Sequence, residues 1–250
     1  MERDALESSI EWILSSKKTL VLTGPEISAE SGLPDFADPE FNPPISNFRS
    51  SREVRAKYWK SLRSAYHLLA NAAPNPAHEA LAELGMMGYV HSLFTQATDG
   101  LHQRAGTLDV IELHSSIQWI ICTSCGKDER TDDIMSVLDK GAEVPACEAC
   151  GKDLLKPGIS FPGQPPPHWE IREAWMQLHG CELFLIAGAS LDVQPGASLP
   201  AVAHEQGAKI VIISERESLA DGYAHAVIYG KPSQVLPHIL GKIKERIELN

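Results

Sequence analysis

Apolar runs and amphipathic stretches alternate along most of the chain. A helix is predicted over 4–16, because Leu6, Ile10, Ile13 and Leu14 recur at helical spacing on one face. Further helical patterns lie at 53–71, 76–84, 169–178, 198–206 and 234–247. Short apolar runs predict strands at 19–22, 89–95, 110–113, 183–187, 209–213 and 226–228. This alternation indicates an α/β fold built on a mostly parallel, doubly wound sheet.

The first predicted strand and the segment after it are typical of a nucleotide-binding unit. The strand ends in Thr23-Gly24, and such units commonly begin with a strand, a glycine turn and a helix start. Residues 34–51 are rich in Pro, Asn, Asp and Ser, and they are too many for a passive connection. We therefore predict a functional loop there.

Composition and charge argue against several classes of function. The chain has 250 residues, 43% of them hydrophobic, and no apolar run reaches the roughly 18 residues that span a bilayer. Its acidic start lacks the apolar core of a signal peptide, so a cytoplasmic protein with no membrane segment is the simplest expectation. The net charge of −11 opposes direct binding of nucleic acid, because most of such a surface repels phosphate backbones.

Four of the five cysteines form two Cys-x-x-Cys pairs, Cys122/Cys125 and Cys147/Cys150, which 21 residues separate. A glycine follows each pair and permits the tight turn of a metal knuckle, so the spacing predicts a closed, structural Zn²⁺ site. Disulfides and a redox Cys-x-x-Cys site are the weaker alternatives, because cytosolic chains rarely keep disulfides and redox motifs are normally single. Cys181 stands alone and is predicted to be a small buried hydrophobe.

Four separated segments resemble the motifs of the sirtuin family. They are TGPEISAESGLPDF at 23–36, TQATDGLHQRAG at 95–106, ELH at 112–114 directly ahead of the cysteine pairs, and GASLDVQP at 188–195. The PNPAH segment at 74–78 has the same look, and the resemblance extends over about residues 18–240. On these motifs the chain is identified as a divergent member of that family.

The resemblance implies an architecture and an activity. A Rossmann-like domain is expected from 1–37, 74–116 and 156–250, with a cofactor loop and helical insertion at 38–73 and a zinc-binding module at 117–155. Sirtuins cleave the nicotinamide–ribose bond of NAD and transfer the acyl group of an acyl-lysine to the ribose, in the cleft between two domains. NAD and structural zinc are thus the expected cofactors, and an acylated-lysine protein or peptide is the expected partner.

The resemblance also assigns roles to residues. His114 is expected to be the general base that acts on a ribose hydroxyl, since a free imidazole pKa near 6.5 suits proton removal near neutral pH. Asp99 is expected to accept from the nicotinamide amide, and Phe36 to shield the reactive ribose carbon. Gly24 and the amides of Ile27 and Ser28 are expected to cradle the pyrophosphate.

The complete predicted site is larger. The cofactor-binding positions are Gly24, Ile27, Ser28, Phe36, Gln96, Thr98, Asp99, His114, Gly188, Ser190 and Ser214. Phe161 and Gly163 are the expected substrate contacts, and Cys122, Cys125, Cys147 and Cys150 the expected metal ligands. Plainer structural interpretations exist for some: Ser28 as a helix cap, Asp99 as a turn residue, His114 as a structural hydrogen-bonding residue, and Phe36 and Phe161 as apolar anchors.

Several positions depart from the family pattern. The family usually has Gly-Ala-Gly where this chain has Gly24-Pro25-Glu26; Pro25 lacks an amide donor, and Glu26 places a carboxylate where a diphosphate is expected. The other departures are Ala37 for Arg, Ala97 for Asn, Ser115 for Gly, Ser214 for Asn, and Pro162 and Gln164 in a segment that usually reads Phe-Gly-Glu. Three functions follow: a weak or specialised NAD-dependent deacylase, an ADP-ribosyl transferase, and a catalytically silent module that binds a nucleotide-like ligand or a protein partner.

Overall fold

The computed structural model describes residues 2–34, 36, 41–165 and 167–249. In chain order, its helices and strands are α1 (Glu2–Ser15), β1 (Thr19–Thr23), α2 (Glu26–Ala29), α3 (Ile45–Ser50), α4 (Arg52–Asn71), α5 (Pro76–Met86), β2 (Ser92–Thr95), α6 (Leu101–Arg104), β3 (Val110–Glu112), β4 (Trp119–Cys122), β5 (Asp128–Arg130), α7 (Thr131–Asp139), β6 (Leu155–Pro157), α8 (His168–Leu178), β7 (Leu183–Ala187), α9 (Leu199–Glu205), β8 (Lys209–Ser214), β9 (Ala226–Tyr229) and α10 (Pro232–Glu248). Single 3-10 turns lie at Gly196–Ser198 and Leu219–Gly222.

Six strands form one parallel sheet in the order β3-β2-β1-β7-β8-β9. The chain winds outward in both directions from the central pair β1 and β7, so the predicted doubly wound, Rossmann-like sheet is confirmed. Both central strands are fully buried; β7 is apolar along its whole length, and β1 has an apolar centre between Thr19 and Thr23, as expected of strands covered on two faces.

The two central strands end side by side. Thr23 pairs with Ala187, so the next residues, Gly24 and Gly188, leave the sheet together, and the Gly24 amide donates to the Gly188 carbonyl at 3.1 Å. A Cβ atom on Gly24 would lie 2.7 Å from the Ala189 Cα, which no side chain can tolerate. Gly24 is therefore required by the close approach of the two backbones.

Helices cover both faces of the sheet. One apolar core joins α1, α5 and α10 to one face, and a second core joins α8 and α9 to the other. Helix α5 begins at Pro76, where a helical pattern was predicted, and the structure shows Asn75 as its N-cap in a capping box with His78. The Asn75 side chain also donates to the Ile27 carbonyl at 2.7 Å, which ties the start of α5 to the turn after β1.

A second, smaller body combines the helical insertion with the cysteine-rich segment. Strands β5, β4 and β6 form a three-stranded antiparallel sheet, and α7 follows β5. A third apolar core is shared by α3, α4, α7 and this sheet, with Phe48, Tyr58 and Phe161 in edge-on contact at 5.3–5.5 Å between ring centroids. The insertion and the cysteine module therefore pack as one unit.

Some boundaries differ from the predictions. The predicted loop at 34–51 contains α3, which the polar sequence around its single buried residue, Phe48, does not reveal. Strand β2 begins at Ser92 rather than at 89, and the predicted module boundary after residue 155 falls inside β6. The assignment of domains stays a prediction. Among the described helices, none combines the length and the hydropathy needed to cross a bilayer, and the cytoplasmic location stays a prediction.

Candidate functional site

A cleft of about 370 Å³ opens at the carboxyl ends of β1, β2 and β3. It brings together residues that are far apart in the sequence: Pro25 and Ser28 after β1, 96–99 after β2, and His114 after β3. Its opposite wall comes from 159–164 and 193–195. Of the predicted site residues, the cleft collects Ser28, Phe36, Gln96, Thr98, Asp99, His114 and Phe161.

Buried polar atoms without partners line this cleft. The hydroxyls of Ser28 and Thr98 and the Oδ1 atom of Asn42 are buried and make no hydrogen bond of good geometry to a described group. A buried polar atom without a partner costs about 1–3 kcal/mol, which a polar ligand or ordered water recovers. A ligand with hydroxyl or amide groups could therefore satisfy these atoms.

Asp99 provides the acidic group of the cleft. It is 4% exposed, and burial raises its pKa, while the Leu101 amide and the adjacent Ser28 hydroxyl act in the opposite direction. One carboxyl oxygen, Oδ1, accepts from the Leu101 amide at 2.8 Å at the start of α6. The second oxygen can face the cleft, so Asp99 combines its predicted turn role with the capacity to accept a hydrogen bond from a ligand.

His114 is placed by the strand that precedes it. The Leu113 amide donates to the Thr95 carbonyl at 2.8 Å, and the Leu113 side chain is fully buried, so the imidazole leaves β3 at the cleft edge. Burial lowers the pKa of His114 below its ordinary value of 6.5. Because the neutral form then predominates at pH 7, the imidazole can accept a proton from a bound hydroxyl group.

Gln96 connects two of the loops that form the cleft. Its amide donates to the Thr23 carbonyl at 2.9 Å, and its side-chain Nε2 donates to the Val193 carbonyl at 3.0 Å. Beneath it, the Thr23 hydroxyl bonds to Thr95 at 2.9 Å and to buried His102 at 2.8 Å. Gln96 therefore fixes the 193–195 segment as well as offering its carbonyl oxygen to a ligand.

A second groove, of about 350 Å³, lies on the other side of the Pro25-Glu26 turn. Its lining is Glu26, Ala189, Ser190, Asp192, Ser214 and 216–219, so two further predicted residues, Ser190 and Ser214, come together there. Pro25 faces the first cleft and Glu26 faces this groove. A ligand that occupies both spaces has to pass over this turn.

The predicted backbone contacts in the turn are already engaged. The amide of Ile27 donates to the Gly24 carbonyl at 3.3 Å and that of Ser28 to the Pro25 carbonyl at 3.1 Å, both across a tight turn of three residues. The Ile27 side chain is fully buried in the core beside the sheet, and Gly188 packs against the Ile27 backbone. The phosphate-binding role of Ile27 stays a prediction, with its amide bonded inside the protein.

The substrate segment and the departures from the family pattern are placed as follows. Phe161, Pro162 and Gln164 line the cleft, whereas Gly163 has a φ of +87° and is absent from the lining. Ala97 lines the cleft as well, so the missing carboxamide leaves open space there. Ala37 lies outside the described residues.

Ser115 adopts a φ of +61°, a conformation that favours glycine, directly after His114. We expect Ser115→Gly to raise the free energy of unfolding by about 0.5–1 kcal/mol, because the relief of left-handed strain exceeds the extra entropy of glycine. Thermal or urea unfolding measures this effect. Ser115→Ala is the control, since it keeps the Cβ atom; equal stabilisation by alanine contradicts the strain explanation.

The four paired cysteines converge. Their sulfur atoms all lie within 4.8 Å of one another, with Cys122–Cys150 and Cys125–Cys147 Sγ distances of 3.7 Å. A tetrahedron with metal–sulfur bonds of about 2.3 Å has sulfur–sulfur edges of about 3.8 Å, whereas a disulfide is about 2.05 Å long. The cysteines are free, and their arrangement fits a tetrahedral metal ion rather than disulfides. Cys181 is buried elsewhere, as predicted.

Three residues that shape the site were not predicted from the sequence. Asn42 lines the cleft from the loop, Asn75 holds the turn after β1, and Val193 accepts from Gln96. Asn75 stands directly before Pro76 at a helix start, which was a readable signal. Asn42 carries no local signal, and Val193 lies in the 188–195 motif but meets Gln96 only through the tertiary fold.

A Rossmann-like sheet, a four-cysteine module, and a largely apolar cleft with a few polar side chains define the class of this protein. The chain matches the model of the Sir2 family over residues 24–195. The chain therefore belongs to the Sir2 family.

Its relatives match over nearly their whole length. It is 38% identical to NAD-dependent protein deacylase 2 of Archaeoglobus fulgidus, over 96% of this chain and 97% of that protein. It is 36% identical to the NAD-dependent protein deacetylase of Thermodesulfovibrio yellowstonii, over 96% of each. Among solved structures, a Sir2 enzyme matches with a TM-score of 0.88 at 36% identity, over 98% of this chain and 100% of that one. Sir2Af2 bound to a myristoylated histone peptide matches with a TM-score of 0.84 at 33% identity, over 99% and 100%.

Proposed function

We propose that this protein is an NAD-dependent protein-lysine deacylase, which transfers the acyl group of an acyl-lysine to ADP-ribose and releases nicotinamide. The observation that carries the proposal is the meeting of Ser28, Asp99 and His114 in one cleft of a Sir2-family chain. Relatives at 36–38% identity are named NAD-dependent protein deacylase or deacetylase. Those names favour deacylation over ADP-ribosyl transfer and over a silent binding module.

The residues present fit the nicotinamide half of NAD. The cleft has buried hydroxyls at Ser28 and Thr98 that make no hydrogen bond of good geometry to the described groups, and a carboxyl acceptor at Asp99. These groups match the ribose hydroxyls and the amide of that half. When bound, NAD supplies a ribose carbon with nicotinamide as its leaving group. In the second groove, Ser190 and Ser214 would hold the adenosine half. We assign Zn²⁺ to the four thiolates, where it closes the small sheet without an open coordination position.

Side chains of this protein carry out the other roles in the reaction. Asp99 orients the nicotinamide amide, and neutral His114 accepts a proton from a ribose hydroxyl. Phe36 lines the cleft, is only 7% exposed and is held edge-on by Phe41 at 5.5 Å, so its ring would exclude water from one side of the cleft. Phe161, which is 1% exposed, forms an apolar wall for the acyl-lysine stem.

The proposal is tested by incubating the purified protein with NAD and acetyl-, propionyl- and myristoyl-lysine peptides. We expect equal amounts of nicotinamide and deacylated peptide by mass spectrometry for at least one of the three. The same peptides without the acyl group are the control and should release no nicotinamide. Nicotinamide release that is independent of the acyl group would favour ADP-ribosyl transfer, and no release with any peptide would favour the silent module.

Glu26 is expected to weaken NAD binding, because its carboxylate borders the groove on the path between the two halves of the cofactor. We predict that Glu26→Gly lowers the Kd of NAD about tenfold, through loss of like-charge repulsion with the diphosphate. The gain should shrink at high salt, since the site is open to solvent. Isothermal titration with NAD and ADP-ribose measures both the Kd and its dependence on salt.

Two further variants test whether the gain in affinity comes from removing the Glu26 charge. Glu26→Gln removes the charge and keeps the backbone preference, so most of the gain should persist. Glu217→Gln removes another carboxylate of the same groove, farther along the chain from the turn, and should change the Kd less. Unchanged affinity in both Glu26 variants contradicts the repulsion argument.

A further inference from the structure

Lys156 is a buried lysine in strand β6, outside every predicted site. The residue is 3% exposed, and its backbone pairs with Ile121 of β4 in the small sheet. Its Nζ atom donates to the carbonyls of Pro157 and Ile159, both at 2.6 Å. The ammonium group therefore holds the backbone in place on both sides of Gly158, where the chain leaves the small sheet and runs to the cleft.

The charge of Lys156 is held by two carbonyl groups and an aromatic ring. No ion pair joins it to a carboxylate in the part of the chain that the structure describes. Its ammonium instead lies 4.7 Å from the centroid of the Phe161 ring. Burial, with a smaller effect from Arg49 on α3, lowers the pKa of Lys156 to about 8, so the ammonium form still predominates at pH 7. A buried cation that binds carbonyl groups and a ring face acts on the geometry of those groups.

The groups that Lys156 contacts belong to one wall of the cleft, which we call the cleft wall (residues 159–164). Ile159, Ser160, Phe161, Pro162 and Gln164 all face the cleft. The far end of this wall is also fixed, because the Ile45 amide donates to the Pro162 carbonyl at 3.0 Å and the Phe161 amide donates to Gln164 Oε1 at 3.1 Å. The Lys156 side chain fixes the other end of the cleft wall, at Ile159.

We propose that Lys156 is a positioning residue for the cleft wall: its ammonium group binds the Pro157 and Ile159 carbonyls under the Phe161 ring and thereby sets the wall against which an acyl-lysine peptide binds. The peptide part of this inference rests on the proposed deacylase function. The inference also connects the metal module to the cleft, because β6 pairs with β4, the strand that ends in Cys122. The module then contributes to substrate affinity without touching substrate.

Kinetics test the peptide part. Lys156→Met keeps the length of the side chain and removes the donors, and we expect it to raise the peptide KM about tenfold with the NAD KM and kcat within about twofold. Lys156→Arg keeps a cation with donors and should restore most of the affinity. Lys140→Met, an exposed lysine of the same module, is the matched control. An unchanged peptide KM in Lys156→Met, or equal changes for NAD and peptide, overturns the proposal.

Hydrogen exchange without ligands tests the positioning itself, whether or not the protein turns over. In Lys156→Met, the amides of Ser160, Phe161 and Gln164 should exchange at least about tenfold faster, whereas those of β7 and the zinc content stay unchanged. Unaltered exchange in the cleft wall overturns the proposal even if the enzyme is active. If the wild type deacylates no peptide while the exchange effect is present, the proposed function fails and Lys156 keeps its positioning role.

Discussion

Replacing His114 with alanine is expected to lower kcat for peptide deacylation by at least about 100-fold. A positioned general base typically contributes about 10²–10⁴ in rate, and the His114 imidazole lies at the cleft edge in its neutral form. The Kd of ADP-ribose should stay within a few-fold, because the predicted role concerns the reaction rather than binding. Rapid-quench or steady-state kinetics and titration calorimetry separate these two quantities.

The pH dependence provides an independent measure of the same role. The imidazole has to be neutral to accept a proton, and its pKa is below 6.5 in the folded protein. Activity should therefore persist at pH 6.5 and fall only as the pH drops through that lower pKa. His238→Ala, on the exposed face of α10, should leave kcat and the pH profile unchanged. A His114→Ala variant with wild-type kcat would show that another group acts as the base.

Removal of the metal is expected to unfold the small sheet. The four sulfur atoms surround a space that fits one tetrahedral ion, and structural Zn²⁺ stabilises small domains by about 10–16 kcal/mol. We expect one zinc per chain by elemental analysis. Cys147→Ser, which replaces a cysteine that is 1% exposed, should reduce this content, lower the melting temperature, and open residues 117–157 to proteolysis.

The control for this experiment is the fifth cysteine. Cys181→Ala changes a buried thiol far from the cluster in sequence, packed in the core beside α8, and should leave the zinc content at one per chain. Loss of the module should also impair peptide binding, since α4 and the cleft wall share its core. Protein that is prepared without chelator, contains no metal and yet resists proteolysis in this segment contradicts the assignment.

The larger part of the fold could be predicted because its signals are local. Continuous apolar runs such as 183–187 indicate strands that are buried on both faces, and the capped start at Asn75-Pro76 marks a helix. The small sheet escaped prediction, because β5 has three largely exposed charged residues and β6 is only three residues long. Those strands are stabilised by pairing with β4 and by the cysteine cluster. No short segment of the sequence shows either interaction.

Some residues of the candidate site could likewise be predicted from local signals, and others could not. Ser28, Gln96, Asp99 and His114 each follow a strand of the parallel sheet, and the carboxyl ends of such strands meet at one edge, so their convergence could be expected. Asn42, Val193 and Lys156 could not be identified, because they reach the cleft through loops or through the side of the small sheet. The effect of Glu26 could be expected only in part: the charge is visible in the sequence, whereas its position beside a separate groove is not.

The close contact of Gly24 with Ala189 has a consequence for how such a cofactor site can diverge. A Cβ atom at position 24 would lie only 2.7 Å from the Ala189 Cα, so this position has no room for a residue larger than glycine. The next two positions carry proline and glutamate, and the turn that contains them is intact. We therefore expect substitutions that change nucleotide preference to be tolerated at the residues that flank the glycine and not at position 24 itself. Libraries that aim to retune cofactor choice should hold position 24 constant and vary 25, 26 and the residues around 190 and 214.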